Sequence, residues 1–115
     1  MPLEIKSLSI RDALTNANEI SRDSILYFPN DAKFSLDTQC ALLTRWDWEE
    51  GGDPPEVMAV DNVEMVELLP MVDIQQVVAN ARQQRQDPSF QLLLKALEYY
   101  YNFDAFIDFD HENPR

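Results

Sequence analysis

Ile10, Ala13, Leu14 and Ala17 recur at the three-and-four spacing that lays one side of a helix against a core. Ahead of them, Ser9-Ile10-Arg11-Asp12 puts a hydroxyl at an N-cap and a carboxylate three residues on. The run predicts a first helix from Ile10 to near Glu19. Ser24 to Phe28 reads as a strand, since Ile25-Leu26-Tyr27-Phe28 is β-rich and halted by the turn residues Pro29-Asn30-Asp31. Thr38 to Trp46 reads as a second strand, and Cys40 to Leu43, apolar on both faces, places it at the centre of a sheet. If that strand continues through Trp48, Trp46 and Trp48 share a face while Asp47 takes the other. Glu49-Glu50-Gly51-Gly52-Asp53-Pro54-Pro55 breaks every pattern and predicts a loop.

Pro55 suits the first position of a short helix over Glu56 to Asp61. Val63 to Leu69 predicts a third strand, and Asp73 an N-cap for a helix with Ile74, Val77, Val78 and Ala81 on one face and Arg82 and Arg85 in its last turn. Asp87-Pro88 restarts a helix whose stripe runs Phe90, Leu93, Leu94, Leu97 and Tyr101. It ends at Asn102-Phe103-Asp104. By that spacing Tyr101 extends the core, and Tyr99 or Tyr100 keeps its hydroxyl outside. Phe106 to Phe109 fits either a further helical turn or a short strand. These elements predict an α+β domain in which a small sheet of about three to four strands is covered by three to four helices. The helix expected between the second and third strands adds a hint of local βαβ character.

Composition narrows function more than fold. A chain of 115 residues with 21 acidic and 9 basic residues, formal net charge −12, fits a single domain over residues 1–115 with residues 110–115 expected to fray. Such a charge repels phosphates, so neither direct nucleic-acid binding nor an anionic membrane surface is expected; a basic partner is. The only two glycines are Gly51 and Gly52, which excludes the glycine-rich phosphate loops of nucleotide-binding folds. The single cysteine, Cys40, excludes an internal disulfide and a multi-thiolate zinc site, and inside an apolar strand it reads as a buried small hydrophobe. His111, the one histidine, precedes a Pro-terminated tail and makes a poor catalytic base. With no apolar run near ~18 residues and no signal-peptide pattern at Met1-Pro2-Leu3, a cytoplasmic protein without a cofactor is expected.

The charge is unevenly placed. Residues 47–73 carry nine acids and no base, whereas residues 1–46 carry six acids against five bases. Most charge runs are solvated faces that keep a protein soluble. Here the run abuts two tryptophans, and aromatic anchors ringed by charge suit the recognition of an oppositely charged protein. Trp46, Asp47, Trp48, Glu49, Glu50, Asp53 and Glu56 are therefore candidate partner-binding residues, together with Asp104, Asp108 and Asp110 near the C-terminus. If 104–110 is helical, Asp104 and Asp108 form a like-charged i, i+4 pair, which a cationic partner would relieve. Oxygen-rich aspartates also suit Mg²⁺ or Ca²⁺, but the glycine and terminal glutamate of an EF-hand are missing, and neither a metal nor a catalytic role is expected for them.

Two stretches carry a family likeness. Leu26-Tyr27-Phe28-Pro29-Asn30-Asp31 with Phe34-Ser35-Leu36-Asp37-Thr38-Gln39-Cys40, and Ile74-Gln75-Gln76-Val77-Val78-Ala79-Asn80-Ala81 with Tyr99-Tyr100-Tyr101-Asn102-Phe103-Asp104-Ala105-Phe106, resemble small acidic bacterial immunity proteins of contact-dependent growth inhibition and related polymorphic toxin systems. The resemblance spans residues 25–109 and rests on core and turn residues. It implies a protein without activity of its own that binds a toxin domain delivered by a neighbouring cell, often a basic nuclease, and occludes its active site. It assigns no binding residue, because such interfaces differ from toxin to toxin. Two other classes stay open: an acidic adaptor or regulatory subunit for a basic cellular protein, and a metal-dependent enzyme using the C-terminal aspartates.

Overall fold

The structure is a computed structural model that describes residues 4–31, 33–45 and 57–110. Its elements run β1 (Glu4–Ser9), α1 (Ile10–Thr15), β2 (Ile25–Pro29), β3 (Gln39–Arg45), β4 (Val57–Val60), β5 (Val63–Pro70), α2 (Met71–Gln84) and α3 (Phe90–Phe103). The strands form one five-stranded sheet in the order β1-β3-β2-β5-β4, and every neighbouring pair is antiparallel. The α+β class stands. Among the described residues, five strands replace the expected three to four, and no βαβ unit is formed.

Two strands account for the difference. β1 escapes the periodicity because its apolar residues, Ile5 and Leu8, fall on opposite faces; it earns its place by pairing Leu8 with Cys40 and Ile5 with Leu43. β4 takes the place of the expected Glu56–Asp61 helix. Val57-Met58-Ala59-Val60 pairs back on β5 through Asp61 and Asn62, whose φ values of 52° and 69° are the left-handed pair of a two-residue hairpin turn. β-branched residues beside a turn-forming Asp-Asn outweigh proline's fitness for a helix start.

β3 lies inside the sheet between β1 and β2, as its two apolar faces predict, and β2 is the middle strand. Ile25 to Phe28 are all buried, Leu26 and Phe28 toward the helices and Ile25 and Tyr27 toward the other face. The helix-side core joins Ile10, Leu14, Leu42, Leu68, Ile74 and Leu97, among others. A smaller cluster of Tyr27, Ala41, Leu43, Met58 and Met65 fills the opposite face. Burial on that face pushes the Tyr27 hydroxyl up to about 12, aided by the Glu67 carboxylate. Burial alone likewise lifts the Cys40 thiol to about 12. Cys40 is thus the inert apolar filler its setting predicts.

Serine hydroxyls cap α1 and α3, the first as expected and the second two residues beyond the expected Asp87-Pro88 start. Ser9 Oγ accepts the Asp12 N–H at 3.1 Å, and Ser89 Oγ accepts the Leu92 N–H at 3.1 Å. α1 nevertheless stops at Thr15, because Asn16 and Asn18 favour turns over helix. Ala17 stays in the core, held by Gln75, whose Nε2 donates to the Ala17 and Ile20 carbonyls at 2.9 and 3.0 Å. α2 begins at Met71, with Pro70 as N-cap, so Asp73 lies in its first turn instead of capping it.

Candidate interaction surface

The C-terminal end of α3 gathers most of the protein's aromatic side chains. Phe28, Phe34 and Tyr101 form a triad with centroid distances of 5.4–5.8 Å. Tyr99 meets Phe103 at 4.7 Å with the rings tilted by 45°, and Tyr100 meets Phe106 at 5.4 Å. The rings are unequally covered: Phe103 is 55%, Phe106 41% and Tyr101 39% exposed. The expected stripe is rotated here. Tyr99 goes inside, its hydroxyl without a hydrogen-bond partner among the described residues, while Tyr101 lies at the flank. Tyr99, three residues on from Ala96, joins the buried Leu93, Ala96 and Leu97, while Tyr101, four on from Leu97, packs at the core's edge against Phe28 and Phe34.

α3 ends where Asp104 adopts a left-handed conformation (φ 52°, ψ 38°) and its N–H bonds the Tyr100 carbonyl at 2.8 Å. Aspartate tolerates this conformation, which commonly stops a helix. The chain beyond is neither the helical turn nor the strand that Phe106 to Phe109 allowed; it is extended coil ending in a turn. Gln84 of α2 holds it, donating to the Ile107 carbonyl at 2.7 Å and accepting the Phe109 N–H at 3.0 Å. Ile107 and Phe109 are buried beneath, so this coil is part of the core.

The three C-terminal candidate aspartates therefore have different surroundings. Asp108 Oδ1 accepts the Asp110 N–H at 3.0 Å, closing a local turn. Asp110 pairs with Arg85 at 3.0 Å, and the same guanidinium lies 5.6 Å from the centre of the Phe109 ring. Asp104 is exposed beside Tyr100 and Phe103. Because 104–110 is not helical, Asp104 and Asp108 are not the i, i+4 pair considered above. Among the described residues no three His, Cys, Asp or Glu side chains come together to hold a metal ion.

Tyr100 locates the charge. Burial first, then the nearby Asp73 and Asp104 carboxylates and a hydrogen bond to Asp73, push its hydroxyl above the ordinary tyrosine value. The Tyr100–Phe106 pair is thus flanked by carboxylates from two helices, one at the start of α2 and one at the end of α3. Half-exposed rings edged by carboxylates can take cationic side chains by cation–π and ionic contact together. The fold already uses that chemistry internally: Arg11 lies 5.3 Å from the Phe90 centroid as Arg85 does over Phe109.

The domain of unknown function DUF7716 matches residues 7–109. The chain belongs to the DUF7716 family. No curated protein and no solved structure matches it. The DUF7716 span begins within β1 and closes on Phe109, so it takes in the edge strand and the coil clamped by Gln84. Trp46, Asp47, Trp48, Glu49, Glu50, Asp53 and Glu56 lie outside the described residues of this DUF7716 protein, as does His111. Sequence reasoning passed over Gln84 and gave Phe34 no packing role. A glutamine in the last turn of a helix carries no local signal for a clamp 25 residues away, whereas an isolated aromatic between turn residues is a signal that was legible.

Proposed function

We propose that this protein is an immunity protein, which binds a basic toxin domain, a nuclease by the phosphate-like character of the acidic chain, and neutralises it by covering its active site. The observation that carries this reading is the surface at the end of α3: Phe103, Phe106 and Tyr101 exposed next to Asp104 and Asp73. Solvent-exposed rings of this size seldom serve stability, and carboxylates beside them favour a cationic partner while repelling an anionic one. The net charge of −12 acts in the same direction over longer range, raising the rate of encounter with a basic domain. Covering an active site needs no catalytic group from this chain, so inhibition would be stoichiometric.

The test is co-expression with the toxin domain encoded immediately upstream of the gene. Restored growth, and a 1:1 complex on purification, are the expected results. Continued growth arrest while both proteins accumulate in soluble form would refute the reading.

A further inference from the structure

A second site lies between different elements, β1, α1 and the start of β2. A groove of about 550 Å³ opens between β1 and the turn that follows α1. Its volume falls in the ~300–1,000 Å³ range of small-ligand sites. One wall is β1 with Glu4 and Lys6, whose opposite charges formally compensate; the facing wall carries Asp12 and Glu19. Neither Asp12 nor Glu19 is in an ion pair among the described residues. The cation of α1 is turned elsewhere: Arg11 reaches Asp37 at 3.7 Å and covers Phe90.

The groove also contains an unsatisfied polar group. Ser24 lines it, is 1% exposed, and its Oγ has no hydrogen-bond partner among the described residues. A buried hydroxyl without a partner is disfavoured, and a ligand or water that hydrogen-bonds it removes the penalty. The backbone around Ser24 is fixed, with its N–H on Ser21 and its carbonyl accepting Met71 N–H at 2.8 Å. The facing turn is equally fixed by the two Gln75 hydrogen bonds. The walls are therefore preorganised, so a ligand would bear little ordering cost.

We propose that this groove binds a small organic cation, a guanidinium or primary ammonium, with its charge on Asp12 and Glu19 and an N–H donated to Ser24. Two carboxylates on one wall of a groove concentrate cations there. Several N–H donors would match the acceptors lining it. The site is independent of the partner reading and does not fail with it.

The purified chain titrated with agmatine, and separately with a capped Ala-Arg-Ala peptide, tests this by NMR and calorimetry at low salt. The expected result is saturable binding, with chemical shifts confined to Asp12, Asn16, Glu19 and Ser24. Glu19→Gln and Asp12→Asn should each weaken affinity about tenfold, as loss of a charge-assisted bond does. Ser24→Ala should weaken it about threefold or more, and Glu98→Gln on α3 should leave it unchanged. Binding of agmatine alone identifies a free cation as the ligand, and binding of both identifies an arginine side chain as equally acceptable. No saturation by either ligand overturns the proposal. So does equal weakening by Glu98→Gln, which would mean diffuse attraction to an acidic surface, or an unaltered affinity in Ser24→Ala.

Discussion

Leu97 and Phe103 sit on one helix, six residues apart, and the fold assigns them opposite duties. Leu97 is 1% exposed in the helix-side core, and Phe103 is 55% exposed at the helix end. Leu97→Ala removes three carbons; at roughly 0.8 kcal/mol each, transfer alone contributes about 2.4 kcal/mol. Leu97 shares a tightly buried cluster with Ile74 and Leu93, so the space left behind closes only in part and the cavity term takes the total to about 3–5 kcal/mol. Phe103→Ala forfeits under half of an aromatic side chain's burial plus its pairing with Tyr99, about 1 kcal/mol, some of which alanine's higher helix propensity offsets. Urea unfolding followed by circular dichroism reads both, with unchanged m-values confirming that stability alone has moved. In thermal melts the gap should appear as roughly 3–6 °C per kcal/mol. A Leu97→Ala cost below about 0.5 kcal/mol, or equal costs for the two variants, would show that the helix faces are wrongly assigned.

Stability should fall at alkaline pH. Tyr27 and Cys40 are held near 12 in the folded state against ordinary values of 10.0 and 9.0, so the unfolded chain releases those protons first. Their contribution is complete below pH 9 and declines as pH rises from about 9 to 12, at up to about 1.4 kcal/mol per unit for each group. Tyr27→Phe should flatten the upper part of that decline; an identical pH profile would contradict the burial. Gln84→Ala should release the coil after α3, seen as faster amide exchange at Phe109 with the strands of the sheet unaffected; unchanged exchange would mean the clamp is redundant. Asn62→Val should cost more than about 1 kcal/mol, because a β-branched residue resists the positive φ, while Asn62→Gly should be neutral or stabilising. Equal stability of the two would argue against the hairpin turn.

How much of this was legible depended on whether the signal was local. α2 and α3 were readable because Ile74, Val77, Val78 and Ala81, and Leu93 and Leu97, repeat with the helical period and are buried as predicted. β2 and β3 were readable from density of apolar residues. β1 was not, since an edge strand with one apolar residue per face has no period, and its existence depends on a partner some 36 residues away. β4 was misread because proline's preference was weighed without the Asp61-Asn62 turn that makes the segment half of a hairpin. Of the candidate site, the aspartates were visible but their fates were not: the ion pair of Asp110 with Arg85 requires the coil's path along α2, and the local turn of Asp108 requires that 104–110 not be helical. The exposure of Phe103 was invisible for a related reason. Helical spacing says which way a residue points, but not that the helix outruns the core beneath it.

The central claim is that the end of α3 meets a cationic protein, and the most direct measurement is the affinity of the purified toxin domain for the wild type, Phe103→Ala and Asp104→Lys. Truncating a central aromatic anchor and reversing the adjacent charge should each raise Kd at least about tenfold. The charge reversal should act partly through a slower on-rate that varies less with salt than the wild type's, and circular dichroism should show both variants folded. Unaltered affinity in both variants would contradict the claim and move the interface away from this surface.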